Sequence, residues 1–156
     1  MRLPARPFLP FEPLPKADVP DSYTILVVEK DPDVTDLLSA VLESEGHHVY
    51  SARNGAEALA LALRHLPDAI FSGIELPDFN GYVLAARIRS TPQIATCLLV
   101  ALTGRGRESD VELGRGVGFD HFLVKPASIE TILATLASVR PRVSKQVDSQ
   151  PKRVRP

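Results

Sequence analysis

Disulfides, tryptophan and long apolar runs are all missing from this chain. Its single cysteine, Cys97, has no second thiol to pair with, so a disulfide-stapled secreted scaffold is excluded. No apolar run approaches the roughly 18–20 residues that span a bilayer. The opening MRLPARPFLPFEPLP also lacks the unbroken apolar stretch of a secretion signal, so the expected compartment is the cytoplasm, with no membrane insertion. Neither sign of charge prevails: 18 Lys+Arg face 19 Asp+Glu, a formal net of −1. That balance argues against a dedicated nucleic-acid wrapper.

The neutrality is an average over unlike segments. Six of the 14 prolines fall in residues 1–20, and all nine glycines fall between Gly46 and Gly118. Residues 22–139 hold nine basic and 15 acidic residues, a net of −6, whereas residues 140–156 hold six basic and one acidic, a net of +5. The expected organisation is a proline-rich disordered arm (1–21), a globular domain (22–139) and a basic disordered tail (140–156). Prolines 4, 7, 10 and 13 recur every third residue, the period of polyproline II. A disordered leader is the default for the arm, and a docking motif for a partner groove the alternative. The tail is too short for a DNA-binding output domain, so specific nucleic-acid binding is not expected.

Between these ends, short β-branched runs alternate with amphipathic helical patterns. The runs are Thr24–Val28, Val49–Ala52, Ala69–Phe71, Cys97–Leu102 and Phe122–Val124, and each reads as buried on both faces. Helical patterns lie near 33–45, 55–65, 81–90, 108–116 and 128–139. Gly46 suits the left-handed end of the first helix, and Asn54 and Ser128 suit the N-caps of the second and fifth. Gly114 and Gly116 weaken the fourth, each by about 1 kcal/mol relative to Ala. Five such units predict a doubly wound α/β domain with a parallel sheet and helices on both faces. Chemistry in such folds sits at the carboxyl ends of the strands.

Those ends read Glu29-Lys30-Asp31-Pro32-Asp33 after the first strand and Ser72-Gly73-Ile74-Glu75-Leu76-Pro77 after the third. Ala101-Leu102-Thr103-Gly104 and Leu123-Val124-Lys125-Pro126 follow the fourth and fifth. With ILVVEKDPDV, GHHVYSARNGAEAL, PDAIFSGIELPDFNGY, ALTG and GFDHFLVKP, the chain resembles the receiver domain of bacterial two-component response regulators, over roughly residues 23–139. It is most similar in style to receivers of hybrid histidine kinases. The resemblance implies a flavodoxin-like, five-stranded parallel sheet in the order 2-1-3-4-5 with five helices. It also implies phosphoryl transfer from a kinase histidine to an aspartate at the end of the third strand, aided by Mg²⁺.

The residues depart from the family pattern at the centre of that chemistry. Counting back four from Pro77, the acceptor position is Gly73, which has no side chain to phosphorylate. The acidic pair after the first strand is Glu29 and Lys30, so a cation stands where the family places a metal ligand. Thr103 and Lys125 keep the phosphoryl-binding positions, and Pro126 is expected after a cis peptide bond as in the family. Glu29 against Lys30 and Lys125 gives a pocket of net +1, so Mg²⁺ is not expected to bind. With no phosphate-binding loop after the first strand, no other cofactor is expected either.

Other candidate residues each have a plainer role as well. Asp31 adjoins the pocket as a possible surrogate acid, while Asp68 begins the third strand, roughly 16 Å from its far end. Glu75 is by default a solvated loop glutamate; the alternative is a carboxylate paired with Lys30 or Lys125. Phe122 matches the family's switch aromatic, and without phosphate its expected role is packing. Arg105, Arg107 and Arg115 border a partner-binding face, with a solvated loop as the default. The resulting expectation is a stand-alone, non-enzymatic, degenerate receiver that binds protein partners such as a histidine kinase or another response regulator. The alternatives are phosphorylation at an atypical residue, or a small-ligand-binding flavodoxin-like protein, a use for which the first strand end lacks a phosphate loop.

Overall fold

The computed structural model describes residues 22–104 and 108–139; the expectations for the arm, the tail, Arg105 and Arg107 lie outside the described residues. Five strands alternate with five helices: β1 Thr24–Val28, α1 Pro32–Ser44, β2 His48–Ala52, α2 Gly55–His65, β3 Ala69–Gly73, α3 Gly81–Arg89, β4 Leu98–Thr103, α4 Glu108–Val117, β5 His121–Val124 and α5 Ile129–Leu136. The sheet is parallel throughout, in the order β2-β1-β3-β4-β5. The order and element count are those expected.

Alternation along the strands divides the core into two layers. Leu26, Val28, Ile70 and Leu99 pack with Ala58 and Ala62 of α2 and Leu84 and Ile88 of α3. On the other side, Ile25, Val27, Phe71 and Val100 pack with Leu38 and Leu42 of α1 and Ile132 and Leu136 of α5. Each fully buried Leu, Ile or Phe contributes about 1.5–3 kcal/mol of transfer free energy. One expectation needs correction. The run Val49–Ala52 is not buried on both faces: β2 is an edge strand, and of its residues only Ala52 is buried. β5, at the opposite edge, is half-buried.

The helix signals act as the sequence suggests. Asn54 accepts from the Glu57 amide and Ser128 from the Thr131 amide, while Gly46 takes φ +96° just past α1. Gly114 has a role beyond weakening α4. The Phe122 ring lies directly over it, in the space that any side chain at residue 114 would fill.

Candidate functional site

The carboxyl ends of β1, β3, β4 and β5 surround an open cavity of about 370 Å³. The chain reverses direction across the sheet between β1 and β3, the topological position at which such folds carry their sites. Glu29, Lys30, Gly73, Glu75, Thr103 and Lys125 all line it, so the sequence-based candidates do converge.

Glu29 extends the β1 ladder, its N–H donating to the Ala52 carbonyl at 3.0 Å. Its carboxylate is almost wholly buried, 3% exposed, and accepts a hydrogen bond from Lys125 Nζ at 2.8 Å. Gly73 explains why that carboxylate fits. A side-chain carbon at residue 73 would stand only 2.8 Å from Glu29 Oε1. Glu29 therefore projects into room that exists because residue 73 has no side chain, and there it meets Lys125.

A second ion pair lies at the cavity mouth. Lys30 Nζ is 3.4 Å from Glu75 Oε1, with side chains 52% and 80% exposed. Glu75 reaches Lys30 yet remains solvated, and such pairs contribute little. Asp31 is placed differently from the sequence grouping. It does not line the cavity but caps α1, accepting from the Asp33 amide at 2.9 Å, because the turn into Pro32 points its carboxylate at the helix end. Asp68 likewise serves the far end of the strand, accepting from the Thr24 amide at 2.8 Å.

Thr103 closes β4, and its carbonyl accepts from the Lys125 amide at 2.7 Å, fixing the register of the two strand ends. The Lys125–Pro126 peptide bond is cis, as expected. Pro126 lines a different groove, between α1 and α5. Phe122 packs edge-on against Phe119, ring centroids 5.6 Å apart, and joins the core layer beneath α3 and α4. Arg115 is exposed on α4.

Sequence reasoning missed two cavity-wall residues, Tyr82 and Asp110. Tyr82 Oη donates to the Asp110 carbonyl at 3.4 Å. Burial pushes the Tyr82 hydroxyl pKa up, and the Asp110 charge adds to this. The missed signal was positional: Tyr82 begins α3 immediately beyond the β3 loop. These residues also correct the expected charge. Glu29, Glu75 and Asp110 against Lys30 and Lys125 give the walls a net of −1, not +1. A third omission, Asp78, ties the β3–α3 loop to α2 by accepting from the amides of Gly55 and Ala56 at 2.8 and 2.9 Å.

Extra carboxylates do not make a divalent-cation site. Glu29 already holds Lys125, Glu75 holds Lys30, and residue 73 offers no oxygen from a side chain. Among the described residues, no three His, Cys, Asp or Glu side chains gather closely enough to hold a metal ion. The donor set does not fit Mg²⁺.

A family model for the response regulator receiver domain matches residues 25–137. The chain belongs to that family. Among curated relatives, this receiver is 42% identical over 102 residues to an uncharacterized 14.6 kDa protein from the sodA1 3′ region of Leptolyngbya boryana, covering 65% of this chain and 78% of that one. It is 31% identical over 115 residues to the protein PilH of Pseudomonas aeruginosa, covering 74% and 95% of the two chains. Among solved structures, the chemotaxis protein CheY4 of Vibrio cholerae superposes with a TM-score of 0.72 at 30% identity, covering 75% of this chain and 98% of that one. The protein is thus a receiver domain of two-component signalling, a class of signalling modules that interact with histidine kinases or other response regulators. No helix among its described residues is long and apolar enough to cross a membrane.

Proposed function

We propose that this receiver is a protein-interaction module that takes no phosphoryl group, a degenerate member whose partners are a histidine kinase or another response regulator. The observation that carries this reading is the position of Glu29. Its carboxylate is buried, paired with Lys125 and set 2.8 Å from where a side chain at residue 73 would begin. Phosphoryl transfer needs a nucleophile open to the donor and cations free to neutralise the moving oxygens. Here the position at the end of β3 has no nucleophile, and Lys125 already has a counter-ion.

The test is labelling with acetyl phosphate and with an autophosphorylated histidine kinase, in the presence of Mg²⁺. The expected result is no incorporation. Hydroxylamine-sensitive phosphate on the wild-type protein would overturn the reading. Changing Gly73→Asp together with Lys30→Asp supplies both missing carboxylates, and should restore Mg²⁺-dependent labelling. Gly73→Asp alone should not, because Lys30 still occupies the metal-ligand position.

A further inference from the structure

Two successive backbone amides at the start of β1 are held by side chains of unlike acidity. The Tyr23 N–H donates to His47 Nδ1 at 3.0 Å, and the Thr24 N–H donates to Asp68 Oδ2 at 2.8 Å. His47 lies in the turn between α1 and β2, half-buried, and its ring stacks on that of Tyr23 with centroids 5.6 Å apart and planes 23° from parallel. A backbone N–H only donates, so Nδ1 keeps its lone pair and the neutral ring carries its proton on Nε2. Protonating the ring turns Nδ1 into a second donor aimed at the first, and that hydrogen bond is lost. Carboxylates are ordinarily acceptors throughout the range in which imidazoles titrate.

We propose that His47 is a proton-operated latch on the entry to β1: neutral, it ties down the Tyr23 amide, and protonated, it lets that amide go while the strand from Thr24 onward stays paired. The release stops at Tyr23 because its carbonyl still accepts from the His48 amide at 2.9 Å. Thr24 is held on both sides by Asp68, whose own amide donates to the Thr24 carbonyl at 2.7 Å.

The groups facing the ring act in opposite directions. Burial disfavours the imidazolium most and lowers the His47 pKa from its ordinary 6.5; Glu45, just past α1, works against this, and His48, the first residue of β2, adds to it. Across the stack, the face of the Tyr23 ring attracts a cation. Its hydroxyl stays neutral here, since burial and then the Asp68 charge raise its pKa above 10.0. The folded pKa of His47 is depressed, so the stabilisation is full above pH 6.5 and lost as pH falls through the folded value. The latch therefore opens on mild acidification. It lies at the amino ends of the strands, opposite the Glu29 cavity, and does not depend on whether the protein takes a phosphoryl group.

The test is amide hydrogen exchange on the full chain, read residue by residue by NMR between about pH 8 and pH 5. Relative to its intrinsic exchange rate, the Tyr23 amide should lose about tenfold in protection, the effect of one hydrogen bond, while Thr24 keeps its own. The loss should follow the titration of His47, whose ring-nitrogen shifts should place the proton of the neutral form on Nε2. His47→Asn sets an amide oxygen, an acceptor at every pH, in the place of Nδ1, and should abolish the transition with Tyr23 protected throughout. His47→Ala should abolish it with Tyr23 unprotected throughout, and His48→Asn should retain it. If His47→Ala does not fold, the wild type and His47→Asn decide between them. Tyr23 protection that tracks Thr24 across the whole range overturns the proposal. A neutral ring protonated on Nδ1, or a wild-type transition persisting in His47→Asn, also overturns it.

Discussion

At the amino ends of β4 and β5, one cation serves five hydrogen bonds. Arg89 donates to the carbonyls of Ala95 and Cys97, twice to that of Gly118, and to the Asp120 carboxylate, which also accepts from the Leu99 amide. At the carboxyl ends of the strands, two lysines face a cavity, Lys125 meeting Glu29 and Lys30 meeting Glu75. A guanidinium is a planar fork of donors, and here it closes a chain crossing. An ammonium is a compact point charge, and here it stands on a wall. Even the backbone at the Arg89 end is shaped to the cation: Gly118 takes φ +122°, and any side chain there would meet the Arg89 stem. The comparison separates charge that holds the fold from charge placed where a receiver does its chemistry.

The sharpest break of that comparison is Arg89→Ala. It strips donors from three carbonyls and leaves Asp120 without its cation, and should cost about 2–4 kcal/mol. A shift of the urea midpoint to lower concentration at unchanged slope is the measurement. Lys125→Ala ranks second. It leaves the buried Glu29 carboxylate without its partner, for about 1–3 kcal/mol in the same assay, reduced because Lys125 is itself partly exposed. Lys30→Ala should move the midpoint by less than about 0.5 kcal/mol, since both members of its pair are solvated. A Lys30 effect as large as that of Lys125 would erase the distinction between mouth and interior.

The smallest effect concerns Asp78. Desolvation raises its pKa, but the amide donors of Gly55, Ala56 and Phe79 together outweigh this and hold the carboxyl below its ordinary value. Its folded pKa is depressed, so its stabilisation is present above about pH 4 and lost as pH falls through the folded value. The stability difference between wild type and Asp78→Asn should therefore shrink on acidification below about pH 4, read as denaturation midpoints at a series of pH values.

Most of the fold could be read from periodicity. The strand and helix runs were legible because each element repeats an apolar pattern, and the caps Asn54 and Ser128 signal locally. The exposure of β2 was not, because HVYSA carries β-branched and aromatic residues whichever side of the sheet it occupies; only the strand order makes it an edge. At the site, the substitutions at Gly73 and Lys30 were legible from spacing. Where Glu29 would turn was not, since that depends on space left by an absent side chain across the sheet. Tyr82 and Asp110 were hidden for a related reason: they reach the cavity from the first turns of helices, and no strand-end motif includes them.

The seating of Phe122 on Gly114 has a spectroscopic consequence. An aromatic ring perturbs the magnetic field at nearby protons, and here the nearest backbone belongs to a residue with nothing but hydrogens on its α-carbon. The Gly114 α-proton resonances should therefore be ring-current shifted. Any event at the strand ends that rotates Phe122 would move them, so the chain carries its own label for following the β5 end of the sheet when a partner is titrated in.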